Sequence, residues 1–313
     1  MKNFLIFIML LFFGLSLEAK EVKLLTIGSS FSDSGMYQFP KVAASVPDCR
    51  LIQNRACIGG SGMEKHCEGI DKSDADPAYK PYPYGKGYTL KDLLVLDKWD
   101  FVLLQPHFSR MSYDMDVELP YLERIINYVK KYAPQAEIVL QMSWSFHPTH
   151  PLINEGKGRF KDPDAMFDSI QKNYDKLGKK YNLRIIPAGL AIQYARHNRK
   201  KTEEPKVDRS KLVYPECPPP SPNYFTPMVY WRPDAKGIQR PLRDCVHLDS
   251  RGQYTQSCLW FAEFFGKPIS QITYVPGGMS AKDGEYYRGA AQKALDHYIQ
   301  PYKNGSADLL HKN

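Results

Sequence analysis

Apolar residues along this chain alternate between two spacings. Short runs rich in leucine and β-branched residues predict strands at Val22–Ile27, near Leu51–Asn54, at Phe101–Gln105, at Glu137–Met142 and at Leu183–Pro187. Longer stretches between them carry the helical period. Leu119, Leu122, Ile125, Ile126 and Val129 fall on one face before Pro134 ends the segment, and Met166, Phe167, Ile170, Tyr174 and Leu177 do the same before Gly178. Two further helices are expected over Gly252–Phe265 and Ala281–Tyr298. Strands alternating with helices in this way predict an α/β fold with a parallel sheet and crossover helices.

Two stretches break the alternation and read as insertions, about 73–88 and 201–243. The first holds Pro77, Pro81 and Pro83 among tyrosines. The second holds Pro218-Pro219-Pro220, then Tyr224, Phe225, Tyr230 and Trp231. Neither pattern suits a regular helix. Residues 1–19 read as an export signal, with Lys2 as the positive start, an apolar core from Phe4 to Leu15 and a small residue at Ala19. That core is shorter than the roughly 20 residues a membrane span needs, so the mature chain, 20–313, is expected to be exported, secreted or periplasmic, without stable membrane insertion.

Composition narrows the partners. The formal charge is +8, with Lys and Arg spread along the length, which describes a solvated surface and allows some preference for anionic partners. No nucleic-acid motif is present, so no nucleic-acid partner is expected. The 6 cysteines, Cys49, Cys57, Cys67, Cys217, Cys245 and Cys258, make an even count that admits disulfides in an oxidising compartment, with pairing left open. They include no C-x-x-C pair, and His147 and His150 are separated by Pro148 and lack a carboxylate partner, so no metal is expected.

The candidate chemistry lies at strand ends. Ser30 follows the first strand, and Asp244-Cys245-Val246-His247 lies far downstream. A serine hydroxyl needs a base to take its proton, and the base needs a partner to fix its tautomer; Ser30, His247 and Asp244 could meet those needs. Ile58-Gly59-Gly60-Ser61-Gly62 follows the second strand, where glycine lets a backbone N–H approach a reacting oxygen. Gln105 or His107, after the third strand, could add a side-chain donor. Trp144, after the fourth strand, and Tyr230 and Trp231, in the second insertion, are candidate substrate contacts. All the triad and donor candidates except the late Asp-x-x-His follow strands, the rim where open α/β sheets bind ligands.

On these residues the chain resembles the SGNH or GDSL-type hydrolases. Gly28-Ser29-Ser30-Phe31 is similar to their nucleophile block, Gly60 to their glycine block, and Asp244-Cys245-Val246-His247 to their last block. A closer likeness is to uncharacterised secreted bacterial members with a Gly-Asn-Ser-Phe-Ser block. It is carried by Ala136–Leu140, Ser143-Trp144, Ile186–Arg196 and Arg243–Phe261. Ser29 departs from the usual Asp or Asn. Gln105-Pro106-His107 stands where Gly-x-Asn is usual, and His107 overlays the Asn.

The resemblance implies a three-layer α/β/α sandwich around a five-stranded parallel sheet, no metal and no organic cofactor. It implies Ser30 as nucleophile, His247 as base, Asp244 as its orienting partner, and an oxyanion hole from Ser30, Gly60 and either His107 or Gln105. It also implies a secreted serine esterase acting on O-acyl groups, O-acetyl on a polysaccharide or oligosaccharide being the expectation. Two alternatives stand beside it: a carbohydrate-binding protein without catalysis, suggested by the missing Asn, and a lipid or thioester hydrolase.

Overall fold

The computed structural model describes residues 19–83 and 87–301. Most of the expected export signal, residues 1–18, and part of the first insertion, 84–86, lie outside the described residues. Five parallel strands form the central sheet in the order β2-β1-β3-β4-β5: β1 (Lys20–Gly28), β2 (Cys49–Cys57), β3 (Phe101–Leu104), β4 (Glu137–Gln141) and β5 (Arg184–Ile186). Each lies where the apolar runs place it, to within a few residues. The inner strands are buried on both faces, which is why they read as continuous apolar runs rather than as alternation. β2 is an edge strand, partly exposed along most of its length. At the opposite edge, the Gln300 amide covers β5 by accepting from the Ile185 N–H at 2.9 Å and donating to its carbonyl at 2.8 Å.

Ten α-helices surround the sheet among the described residues: α1 (Ser30–Met36), α2 (Phe39–Ala44), α3 (Met63–Ala75), α4 (Leu90–Val95), α5 (Arg110–Tyr113), α6 (Met115–Tyr132), α7 (Pro163–Tyr181), α8 (Ala188–His197), α9 (Ser250–Phe265) and α10 (Ala281–His297). They pack in two groups. α9 lies against α1, α2, α8 and α10, and α6 lies against α3, α4 and α5. None of them is long and apolar enough to cross a membrane. The whole is an α/β fold with a parallel five-stranded sheet flanked by helices.

The insertions are more ordered than their sequences suggest. The first begins inside α3 and continues to a bridge between Tyr82 and Tyr88. The second contains an antiparallel hairpin, β6 (Met228–Pro233) and β7 (Gln239–Asp244). Prolines 233 and 241 hid it, because proline is tolerated in a two-stranded ribbon with unpaired edges. The disulfides that the even cysteine count admits are not formed among the described residues. Cys49 and Cys57 stand at opposite ends of β2, and the others lie on separate elements.

Candidate active site

The sheet register brings three strand ends into line. Ile27 pairs with both Ala56 and Leu104, so the chain leaving β1, β2 and β3 emerges at one rim. β1 connects to β2 on one side and β3 lies on its other side, which makes the end of β1 the switch point where open sheets leave a crevice. Ser29 caps α1 there in extended conformation, and Ser30 is the first helical residue. A backbone N–H at that position has no partner in the helical ladder.

The hairpin delivers the other half. β7 ends at Asp244, and the turn after it organises itself around that carboxylate. Oδ1 accepts from the Val246 N–H at 3.2 Å and the His247 N–H at 3.0 Å, while Oδ2 lies 3.0 Å from His247 Nδ1. A carboxylate there accepts, so Nδ1 carries the proton and Nε2 is left as acceptor. Ser30 Oγ lies 2.9 Å from that Nε2. Burial disfavours ionisation of Asp244, but the hydrogen bonds and charge of His247 with the two backbone donors outweigh it and hold its pKa below the ordinary value. Ser30, His247 and Asp244 thus form one hydrogen-bonded chain across a separation of 217 residues.

The donor candidates separate from one another. The Ile58 N–H donates to the Gly28 carbonyl at 3.0 Å, so the glycine turn starts beside β1. Gly60 is at φ +67° in that turn, a left-handed position suited to glycine. Gln105 is fully buried; its Oε1 accepts from Ser29 Oγ at 2.9 Å and its Nε2 donates to the Pro106 carbonyl. It supports the Ser29–Ser30 turn from beneath, and with no exposed surface it does not present its amide to a substrate, which corrects it as a donor candidate. Ser29 therefore takes an amide partner inside the protein, the use to which a hydroxyl at this position is put here.

His107 is placed differently. Its Nδ1 receives the Ser109 hydroxyl at 3.1 Å and the Ser109 and Arg110 N–H groups at 3.3 and 3.4 Å. Those donors make Nδ1 the acceptor and leave the proton on Nε2. Burial, opposed by Glu118 and aided by Arg110, keeps the ring's pKa below the usual histidine value. The ring ends a stack that runs Trp144, Phe31, Phe108, His107, with centroid separations of 4.2, 4.5 and 4.7 Å.

Trp144 is also corrected. It is 0 % exposed, and its indole N–H donates to the Val246 carbonyl at 2.8 Å, so it holds the Asp244–His247 turn rather than lining a surface for substrate. Next to it, the His147 N–H donates to the Cys245 carbonyl at 2.9 Å. In the hairpin, Tyr230 is exposed, whereas Trp231 turns inward and donates to the Glu216 carbonyl at 2.8 Å. His150 packs its ring on Phe146, and burial pushes its pKa down to about 4.

Two supporting groups had no sequence signal. Glu118 of α6 is fully buried, and its carboxylate accepts from the N–H groups of Met63 (3.2 Å) and His107 (3.3 Å) and from Arg110 at 3.0 Å. It ties the glycine turn to the loop that bears His107. Gly62 leaves little room for a side chain, since a Cβ there would lie 2.7 Å from the His107 Cβ and also against that carboxylate. His66 of α3, also fully buried, lies 3.0 Å from the Gly28 carbonyl and 2.7 Å from the Tyr82 hydroxyl. A glutamate on an amphipathic helix and a histidine in α3 carry no periodic mark of these long-range contacts.

No known family profile and no curated protein matches the sequence. Solved structures do. A DUF4886 family protein from Bacteroides uniformis superposes with TM-score 0.65 over 93 % of this chain and 99 % of its own, at 20 % identity. A protein from Slackia heliotrinireducens, provisionally assigned to the SGNH hydrolases, gives TM-score 0.46 over 79 % of this chain and 100 % of its own, at 13 % identity. An acetyl xylan esterase from Geobacillus stearothermophilus gives TM-score 0.31 over 54 % of this chain and 78 % of its own, at 13 % identity. With its five-stranded parallel sheet in the order 2-1-3-4-5 flanked by helices, this chain has the fold of the DUF4886 family protein from Bacteroides uniformis.

Proposed function

We propose that this protein is an exported serine esterase that removes O-acyl groups, acetyl above all, from a carbohydrate. The observation that carries the reading is the Ser30–His247–Asp244 chain, with contacts of 2.9 and 3.0 Å. His247 Nε2 takes the Ser30 proton as Oγ attacks the ester carbonyl, and Asp244 stabilises the imidazolium that forms. The tetrahedral oxyanion is held by the Ser30 and Gly60 N–H groups and by His107 Nε2–H, which takes the role left open by Gln105. His247 then returns the proton to the departing sugar hydroxyl, and water releases the acyl group by the same steps in reverse.

A small acyl group is favoured by the floor beside the nucleophile. Phe31 follows Ser30 directly and is fully buried with its ring against Trp144 and Phe146, which leaves no deep channel there and suits acetyl better than a long chain. The export-signal pattern and the exposed Tyr230 at the rim support an extracellular glycan. The test is Ser30→Ala, assayed on small acetyl esters and acetylated glycans. Turnover is expected to fall at least about a thousandfold, as for other serine nucleophiles. Unchanged turnover would overturn the esterase reading, and glycan binding without hydrolysis in the wild-type protein would point to a binding protein. In an acyl-chain panel, acetyl is expected to be preferred over long chains.

A further inference from the structure

We infer that the β6–β7 hairpin is a binding arm for an anionic glycan, one bearing carboxylate or sulfate groups, which it leads across Tyr230 to the active site. This rests on the reading of the site as a glycan esterase and names the class of glycan.

Directly paired residues of an antiparallel ribbon share a face. The pairing of Arg232 with Arg240, Tyr230 with Leu242 and Met228 with Asp244 therefore sets Tyr230, Leu242 and the two arginines on the face that has Asp244 at its root. The opposite face is partly covered, with Val229 buried. Trp231 bonds the Glu216 carbonyl and meets the Tyr214 ring edge-on at 5.4 Å, and Arg243 donates to the Thr149 carbonyl at 3.1 Å. The first face is open: Tyr230 is 39 % exposed, and Arg232 and Arg240 are exposed beyond it. Four steps along the strand separate Asp244 from Arg240, about 13 Å. An anionic group held by the arginines thus lies far enough from the reacting centre for a sugar unit to stack on Tyr230 between them.

The charge of this face is unbalanced. Two arginines directly opposite one another repel. Asp234 answers only Arg240, at 3.0 Å, and its other oxygen caps the turn through the N–H groups of Lys236 (2.9 Å) and Ile238 (3.0 Å). Arg232 makes no ion pair among the described residues, and the exposed Lys236 adds a further cation at the tip. An anionic polymer neutralises that excess, whereas a neutral glycan leaves it standing.

The test is equilibrium binding to polygalacturonate, dextran sulfate and neutral dextran. It compares the wild-type protein with the double variants Arg232→Gln/Arg240→Gln and Arg232→Lys/Arg240→Lys, whose positions are exposed. At least one charged polymer is expected to bind and dextran is not, with added salt weakening the binding. The Gln pair should bind about fivefold or more weakly, the Lys pair within about twofold of wild type. The tighter of the two charged polymers identifies the anion. Equal binding of dextran, no binding of either charged polymer, or unchanged affinity in the Gln pair overturns the inference. A single-stranded DNA oligonucleotide binding as tightly as the charged glycans overturns it too. Hydrolysis of small acetyl esters by the wild-type protein is scored separately. Turnover without arginine-dependent binding removes the arm and keeps the esterase, and the reverse result removes the esterase and keeps the arm.

Discussion

At the scale of single residues, the support of the turn that carries Ser30 rests on groups whose protonation is fixed by burial. A carbonyl can only accept, so His66 Nε2 donates to the Gly28 oxygen, and Nδ1 then accepts from the Tyr82 hydroxyl. Burial pushes the His66 pKa down to about 4, so the ring is neutral in the folded protein at pH values where an unfolded histidine is protonated. Between about pH 6.5 and pH 4 the unfolded chain binds the extra proton, and stability contributed by neutral His66 is lost as pH falls through that window. The loss from this residue between pH 7 and pH 4.5 is about 2 kcal/mol. Urea unfolding at both pH values should show that difference shrink by about this amount in His66→Gln. It should not vanish, because His150 is shifted the same way. An undiminished difference in the variant would show that His66 is not the group responsible. That Ser30, Asp244 and His247 meet was legible in the sequence because the proposed chemistry demands specific residue types after specific elements. His66 and Glu118 were not, since a buried hydrogen bond to a distant backbone group leaves no spacing to read.

At the scale of elements, what could be read was what has a period. α6 and α7 have one buried stripe each, and both were placed from it. α1 and α8 are buried nearly all round, with Ser, Gly and Gln among their buried residues, so neither a stripe nor high hydrophobicity marks them. Their close approach shows in the glycines instead. A Cβ at Gly189 in α8 would lie 1.9 Å from the Ser143 carbonyl oxygen, a backbone atom that cannot swing away. Gly189→Ala is expected to destabilise the protein by about 2 kcal/mol or more through overpacking at the end of β4. Gly289 in α10 is the opposite case, exposed and with nothing within 4 Å of its Cβ position. Gly289→Ala should stabilise by about 0.5 to 1 kcal/mol, the helix-interior preference of alanine over glycine. Urea midpoints of the two variants should therefore move in opposite directions. A shift of the same sign in both would mean that the α8–β4 contact has room to relax.

At the scale of the molecule, the second insertion divides into a root within the body and an arm outside it. Phe225 is fully buried beneath Arg251, its carbonyl accepts the Asp249 N–H at 2.8 Å, and Ser221 receives Arg251 at 2.7 Å. Composition showed only a proline-rich irregular stretch, because nothing local distinguishes the residues that dock from those that do not. The clamp at the root is Arg196 of α8. It donates to the Ser145 carbonyl (2.8 Å) and hydroxyl (3.0 Å) and to the Tyr224 carbonyl (2.8 Å), while its Nε has no partner among the described residues. Burial lowers its pKa to about 10, still high enough to keep the cation at neutral pH. Arg196→Met would relieve about 3 kcal/mol of that desolvation. It would also strand two buried carbonyls and a hydroxyl at about 1 to 3 kcal/mol each. These opposing terms leave a modest net destabilisation, but they fall in different places: the relief belongs to α8, and the stranded groups belong to the segment after β4 and to the insertion. Hydrogen exchange should therefore speed up by about tenfold or more at Ser221–Thr226 and Ser145–His147 while the central strands keep their protection. Because the His147 N–H holds the Cys245 carbonyl, the same loosening reaches the turn that orients His247, and ester turnover should fall with KM for a small acetyl ester little changed. Uniform loss of protection across the sheet would instead make Arg196 a determinant of global stability, with no special hold on the insertion.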